Sequence, residues 1–249
     1  MQLAIAIDTS TDTASLAIAK DGEILAELTW RCQKNHSQEL MPNLSQLLKL
    51  TKLERKSISY IIVARGPGSF NGLRVGISTA KALAFSLEIP IVGISTLEAE
   101  AYQHAETGLP VCPIFGAGRS EIAAATYQRK DSQWHQLSSE HITTIEALCS
   151  EITGKTIFCG QISPAIASQL NAKLGESAII PPPASRLRRA SFLAELGLRR
   201  LKAGDYDNPA TLQPMYLRRP AITKPKHRTW IAKTGSDIKN KGGKIWKDH

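Results

Sequence analysis

The chain has 249 residues, of which 42% are apolar and 21% charged, and its formal net charge is +9. These values are typical of a globular protein with one large or two small domains, and they exclude collagen-like, disulfide-scaffold and wholly disordered classes. No apolar run approaches the roughly 20 residues that a membrane span needs, and residues 1–8 resemble a strand rather than a secretion signal. We therefore expect a cytoplasmic protein without membrane contact.

The basic residues are concentrated at one end of the chain. Residues 218–249 hold ten of the 31 lysines and arginines and two of the 22 acids, which leaves the other 217 residues nearly neutral. Few aliphatic side chains and many Pro, Gly and Lys residues predict a disordered basic tail there. Such a tail can be merely solubilising or can contact nucleic acid phosphates weakly, and the sequence leaves both open.

The first hundred residues predict the order β-β-β-α-β-α-β. Asp21-Gly22 between apolar runs is typical of a type I′ hairpin, so the chain opens with antiparallel strands. Ser37 is expected to cap the first helix, whose leucines recur with a period of 3.6 residues. The predicted elements are strands at 3–8, 14–19 and 23–26, a helix at 37–50, a strand at 60–64, a helix at 72–87 and a strand at 91–94.

From about residue 96 a second set of elements begins that resembles the first in kind. Three consecutive prolines at 181–183 interrupt this set before a last helix. The predicted elements are a helix from 96, strands at 111–115, 122–127 and 134–137, a helix at 142–152, a strand at 156–159, and helices at 163–174 and 191–203.

The turn after the first strand is a candidate phosphate site. Asp8, Thr9 and Ser10 follow the strand directly, so their hydroxyls and amides could hold a phosphate while the carboxylate orients a metal-bound water. The same three residues would also serve as an ordinary turn that closes a hairpin. The sequence leaves both interpretations open.

A glycine-rich turn links the strand at 60–64 to the helix at 72–87. Gly66, Gly68 and Gly72 lie in it, and their backbone amides can face an anion at the helix N-terminus. Their GxGxxxG spacing matches neither the Walker loop nor the Rossmann fingerprint. A tight turn that lets strand and helix pack closely is therefore an equal alternative to a phosphate loop.

The helix over residues 72–87 is apolar on most of its sides, which indicates either burial in its own fold or a partner that covers it. Gly72, Gly76 and Ala80 recur every four residues and suggest a close backbone approach. We predict a partner surface on this helix and on the helix at 37–50. The predicted interface residues are Leu40, Leu44, Leu47, Leu73, Gly76, Ala80 and Ala82.

Cysteine and histidine spacing indicates neither a metal site nor a catalytic nucleophile. The four cysteines form no CxxC pair, and the six histidines show no HxxxH, HExxH or HxH spacing. His36, at the start of a helix, is predicted to be a capping or surface residue. We therefore assign no catalytic and no metal-binding residue.

Four segments together resemble the TsaB family: residues 5–11 (IAIDTST), His36-Ser37, residues 66–74 (GPGSFNGLR) and residues 214–218 (PMYLR). They occur in the family's order, and the resemblance extends from residue 1 to about 219. It implies an α/β fold of the two-lobed actin/Hsp70/sugar-kinase (ASKHA) kind, in which each lobe is a mixed sheet with helices. The implied division is a first lobe at 1–100, a second lobe at 101–217 and a basic tail at 218–249.

The resemblance implies a non-catalytic subunit in the biosynthesis of tRNA threonylcarbamoyladenosine. Such a subunit heterodimerises with a catalytic TsaD-like paralogue and supports threonylcarbamoyl transfer to the adenosine beside the anticodon of tRNA. A TsaE-like ATPase completes the complex. The subunit itself requires no cofactor, while ATP or ADP with magnesium at the subunit interface, and a homodimer in isolation, stay open.

A metal-binding motif of the related catalytic subunit is altered in this sequence, which bears on whether the chain is itself an enzyme. That subunit carries a His-Leu-Glu-Gly-His-like motif, and the matching stretch here is Thr96-Leu97-Glu98-Ala99-Glu100, so both imidazole ligands are replaced. Gly116-Ala117-Gly118-Arg119 also stands where the family usually has Asp-Ala-Arg. The rival is an autonomous ATP-dependent phosphotransferase or hydrolase of the same fold that uses Asp8, for which the sequence shows no acid or base partner.

Overall fold

A computed structural model of the chain describes residues 2–33 and 35–218. The predicted basic tail therefore lies outside the described residues, apart from Arg218. The described residues form an α/β structure with two five-stranded sheets, each of which mixes parallel and antiparallel pairs. No helix among them is both long and apolar enough to cross a membrane.

The first sheet has the strand order β3-β2-β1-β4-β5. Strands β1, β2 and β3 pair antiparallel, whereas β1, β4 and β5 pair parallel. The hairpin between β2 and β3 turns at Asp21 and Gly22, which both have positive φ angles, as a type I′ turn requires. The strands are β1 (Leu3–Asp8), β2 (Thr13–Lys20), β3 (Glu23–Arg31), β4 (Tyr60–Gly66) and β5 (Ile91–Ser95).

The second sheet has the order β10-β9-β6-β7-β8. Its β6–β7 and β7–β8 pairs are antiparallel, and β9 runs parallel to both β6 and β10. Strand β10 has only two residues and no counterpart among the predicted elements. The strands are β6 (Val111–Gly118), β7 (Glu121–Lys130), β8 (Gln133–Thr143), β9 (Thr156–Gly160) and β10 (Ala178–Ile179).

The helices cover the sheets on both faces. Alternation along β1 puts large side chains on the face covered by α1 and α2, and alanines on the face covered by α3 and α6. Helix α3 also packs on one face of the second sheet, and α4 and α5 pack on its other face. The helices are α1 (His36–Leu50), α2 (Phe70–Leu87), α3 (Thr96–Tyr102), α4 (Ile145–Glu151), α5 (Pro164–Leu174) and α6 (Ala190–Lys202).

Two local predictions about helix starts are wrong. Helix α1 begins at His36, and its N-cap is Asn35, which makes no side-chain cap bond; Ser37 is already inside the helix. Helix α4 begins at Ile145 rather than 142, because β8 continues to Thr143 and Thr144 caps the helix instead.

Helix α6 packs on the first sheet, although it falls within residues 101–217, which were predicted as the second lobe. Its buried side chains join the alanine face of that sheet, and a Cβ at Gly197 would lie 2.5 Å from the side chain of Ile62. The small residues on both sides permit this close approach. Helix α6 therefore belongs with the first sheet and not with the second lobe, because the chain returns to the first sheet after the second sheet is complete.

Candidate functional site

The turn at residues 8–10 packs directly against the glycine-rich turn at 66–72. Thr9 Oγ1 donates a hydrogen bond to the carbonyl oxygen of Gly72 (2.7 Å), and the Ser69 amide donates to the carbonyl oxygen of Ser10 (2.6 Å). A Cβ at Gly72 would lie 2.1 Å from the Thr9 carbonyl oxygen, and one at Gly68 would lie 2.3 Å from that of Ser10. Both glycines therefore face protein backbone.

Gly66, the remaining candidate of this loop, also faces the chain itself. Its φ is +116°, and a Cβ there would lie 2.6 Å from the carbonyl oxygen of Met215. These contacts support the tight turn that the sequence left open, and they leave the three glycines unsuited to cradling a phosphate at their Cα atoms. The predicted nucleotide-binding set does not fit that ligand, and we derive no chemistry from it.

The carboxylate of Asp8 is already occupied by internal partners. Its Oδ1 accepts hydrogen bonds from the amide (2.9 Å) and the hydroxyl (2.6 Å) of Ser10, and its Oδ2 accepts one from Arg188 Nη1 (2.7 Å). Asp8 and Ser10 are buried. Both oxygens thus have partners within the chain and the side chain is buried, whereas a metal-orienting carboxylate would face its ligand.

Arg188 joins three parts of the fold through one buried guanidinium. Besides Asp8, its Nη1 donates to Ser10 Oγ (2.9 Å), and its Nη2 lies 3.4 Å from Glu100 Oε2 in α3. The guanidinium carbon lies 4.7 Å from the ring centroid of Phe115 in β6. We call Asp8, Ser10, Glu100 and Arg188 the Arg188 cluster.

Burial dominates the electrostatics of this cluster. Loss of water raises the pKa of Glu100, an effect that Arg188 partly offsets and the nearby Asp8 reinforces. Burial alone would lower the pKa of Arg188, but attraction to Asp8 and Glu100 outweighs it, so its pKa is raised. The guanidinium therefore remains a permanent cation between two carboxyl groups.

Positions 96 and 100 both bind parts of this chain. Thr96 is buried, and its Oγ1 accepts a hydrogen bond from the Gly66 amide (3.1 Å), while Glu100 faces Arg188. Within the described residues, no three His, Cys, Asp or Glu side chains are grouped in a way that could hold a metal ion. A cleft of about 260 Å³ opens beside the cluster, and Glu100, Phe115 and Arg188 contribute to its lining.

The predicted interface residues are mostly part of the chain's own core. Of the seven, only Ala82 is exposed. The other six are buried against the first sheet or the turn at residues 8–10, because the apolar stripe of each helix faces inward. The prediction that these six form a partner surface is therefore wrong. These six are Leu40, Leu44, Leu47, Leu73, Gly76 and Ala80.

Sequence reasoning missed or misplaced several residues of this region. His36 is buried rather than at the surface, and its Nε2 donates to the Thr11 carbonyl oxygen (2.7 Å). Arg188 received no role at all; its only signal is the arginine-rich stretch 186–189 before the last helix. The prediction also omitted Met41 and Phe85, which are exposed apolar residues of α1 and α2.

Comparisons with known proteins place the chain in a family. Residues 24–225 match the family described as "TsaD: tRNA N6-adenosine threonylcarbamoyltransferase". The chain is 32% identical to the tRNA threonylcarbamoyladenosine biosynthesis protein TsaB of Bacillus subtilis (strain 168), over 86% of this chain and 93% of that protein. It is 29% identical to TsaB of Escherichia coli (strain K12), over 72% and 81% respectively.

The fold is likewise that of a solved relative. YeaZ from Pseudomonas aeruginosa superimposes with a TM-score of 0.75 at 23% identity, over 87% of this chain and 100% of that one. This likeness confirms the α/β fold with two mixed sheets and helices. The chain therefore belongs to the TsaB family of tRNA threonylcarbamoyladenosine biosynthesis proteins.

Proposed function

We propose that this chain is a non-catalytic subunit that supports threonylcarbamoyl transfer to a tRNA adenosine by pairing, in the cytoplasm, with a catalytic TsaD-like paralogue. The observation that carries this proposal is that the side chains at positions 96 and 100 contact other residues of this chain. Where the related catalytic subunit has imidazole ligands, this chain has a hydroxyl bonded to the glycine-rich turn and a carboxylate facing Arg188. The names of its relatives in B. subtilis and E. coli support the pathway.

The rival function, an autonomous phosphotransferase or hydrolase, finds less support. It needs an Asp8 carboxylate that can orient a metal-bound water. Asp8 instead accepts three hydrogen bonds from Ser10 and Arg188 and is 2% exposed. Freeing this carboxylate would remove the shorter of the two ion pairs of a buried guanidinium.

We further propose that any ATP or ADP with magnesium acts at the subunit interface. Within this chain the glycines of the turn meet the backbone of residues 9, 10 and 215 and leave no open cradle for a phosphate, so a nucleotide site needs residues of the paralogue as well. This subunit accordingly requires no cofactor of its own. A TsaE-like ATPase and the tRNA then join the pair of paralogous subunits.

The partner surface is the outer side of α1 and α2. The inward apolar stripes of both helices are buried in the core, yet Met41 of α1 and Phe85 of α2 are 38% and 56% exposed, and Ala82, three residues before Phe85, is also exposed. Exposed apolar residues on adjacent helices favour a protein interface. The same surface would serve a homodimer when the paralogue is absent.

Reconstitution tests the proposed function. The full-length chain, the TsaD-like paralogue, the TsaE-like ATPase and unmodified tRNA are combined, and threonylcarbamoyladenosine is measured with each component left out in turn. We expect no product from this chain alone and product that depends on it when the paralogue is present. Product formed by the highly purified chain alone, or transfer that does not depend on the chain, would contradict the proposal.

A further inference from the structure

Four cationic side chains cluster in the turn that follows α1. Lys49, Lys52, Arg55 and Lys56 are all exposed, and Glu54 is the single acid among residues 49–56. None of the four forms an ion pair with a described residue. We propose that this segment, the cationic turn, contacts the phosphate backbone of the tRNA; the inference rests on the proposed function.

The cationic turn differs from the rest of the described chain in how closely its unpaired cations are spaced. Of the 17 other described lysines and arginines, ten also lack an ion pair, but they are scattered along the sequence, whereas the turn holds four within eight residues. Seven basic residues lie within 4.0 Å of a carboxylate: Arg129, Lys173, Arg188, Arg189, Arg199, Arg200 and Arg218. In the cationic turn all four side chains are exposed to solvent.

Helix stabilisation accounts for only one of the four cations. Lys49 lies in the last turn of α1, where a positive charge interacts favourably with the negative end of the helix dipole. Lys52 follows the helix with a φ of 55°, and Arg55 and Lys56 belong to the short 3₁₀ turn Arg55–Ser57. Those three residues lie outside α1, so helix stabilisation does not explain their charge, which stays available to an external anion.

The turn is held in shape by its backbone. The Leu53 amide donates to the Leu48 carbonyl oxygen (3.0 Å), the Ser57 amide donates to that of Glu54 (3.0 Å), and Ile58 is buried in the core. The cations are thus presented from a fixed scaffold.

A polyanionic backbone suits this segment better than a structured acidic protein surface. Lysine acts on phosphate as a point charge without demanding a set geometry, and three of the four residues are lysines. The turn also continues from α1, so RNA bound there would touch this chain at the edge of the proposed partner surface.

The test uses the full chain assembled with the TsaD-like paralogue, and unmodified tRNA as the probe. A variant with Lys49→Gln, Lys52→Gln, Arg55→Gln and Lys56→Gln is titrated at salt concentrations between about 50 and 200 mM. We expect tRNA affinity to fall roughly tenfold or more at low salt. The log–log salt slope should become shallower by about 0.7 for each phosphate that the variant no longer neutralises.

A second variant removes the same charge elsewhere, at four exposed positions without described ion pairs: Arg119→Gln, Lys130→Gln, Lys155→Gln and Lys202→Gln. This variant should bind tRNA more tightly than the first variant does, and its affinity should depend more steeply on salt concentration. Equal reductions in both variants, or an unchanged slope in the first, would overturn the proposal. So would weaker subunit assembly with unchanged tRNA affinity, since that result indicates an acidic protein partner.

Failure of the proposed function is recognised separately. If the wild-type chain does not stimulate modification at all, the proposed function falls whatever the cationic turn does. If the wild-type chain stimulates modification and the first variant binds tRNA as the wild type does, only the cationic turn is refuted.

Discussion

The Arg188 cluster and the outer surface of α1, α2 and the cationic turn use charge and apolar area in opposite ways. In the cluster, one buried guanidinium lies between Asp8 and Glu100, and every polar motif that suggests phosphate chemistry is consumed by internal contacts. In the cationic turn, four exposed cations form no ion pair with a described residue, and on α1 and α2 the apolar side chains of Met41 and Phe85 are exposed. The contrast shows that a side chain can bind an external ligand or partner only where the fold has not already paired it with another residue of the chain.

The largest expected effect comes from breaking the cluster with Arg188→Met. Two buried carboxyl groups would lose their cation, so the free energy of unfolding should fall by about 3 to 5 kcal/mol. Denaturant titration measures this change. The control is Arg189→Met, whose side chain is half exposed in its pair with Glu27, and which should lose less than about 1 kcal/mol. Equal midpoints for the two variants would show that the cluster is not structural.

The outer surface is tested by Ala82→Glu on α2. A carboxylate buried against the paralogue without a partner should weaken assembly about a hundredfold, or about 2.7 kcal/mol, while the exposed site leaves the fold intact. Calorimetric titration with the TsaD-like paralogue measures the affinity. Ala172→Glu, at an exposed position of α5, is the control and should bind normally. Unchanged affinity for Ala82→Glu would move the interface elsewhere.

Gly72→Ala tests whether the glycine-rich turn serves packing. Its Cβ would lie 2.1 Å from the Thr9 carbonyl oxygen, and the resulting shift of backbone should lower the free energy of unfolding by about 1 to 3 kcal/mol. Gly154→Ala, at a site with no atom within 4 Å, should have little effect. If Gly72→Ala proved as stable as the wild type, the close approach to residue 9 would be dispensable.

Glu100→Gln gives the smallest effect and sharpens the electrostatic side of the comparison. Because burial raises the pKa of Glu100 in the folded state, its contribution to stability is complete below the ordinary glutamate pKa and is lost as pH rises through the raised value. The amide does not titrate. The variant should therefore gain stability relative to the wild type as pH rises, by about 1.4 kcal/mol for each pH unit by which burial raises the pKa. A difference that does not change with pH would contradict the burial effect.

Most of the secondary structure was predictable because periodicity and turn residues are local signals. The apolar runs at 3–8 and 60–64 are confirmed as strands, and Asp21-Gly22 as the turn of a hairpin. The helix at 72–87 is confirmed with two additional residues at its start. Its apolar stripe was also recognised, but periodicity identifies a buried face without telling whether the chain's own sheet or a partner covers it.

The candidate site was predictable only in part, because its decisive interactions join distant residues. Asp8 and Arg188 are 180 positions apart, and no local pattern links them. The same holds for Gly68 with Ser10 and for His36 with Thr11. The sequence could therefore offer the phosphate loop and the tight turn as alternatives, and tertiary packing was needed to choose between them.

The return of α6 to the first sheet has a consequence for synthesis on the ribosome. Strands β1 to β5 are complete at Ser95 and α3 follows them directly, yet the part of the alanine face that α6 covers stays open until Ala190–Lys202 has been made. At about 5 to 20 residues per second, that interval lasts roughly 5 to 20 seconds. Throughout this interval Ile62, Val92 and Ile94 lie on a sheet face that α3 covers only in part, so a chaperone has the most apolar surface to shield in this period.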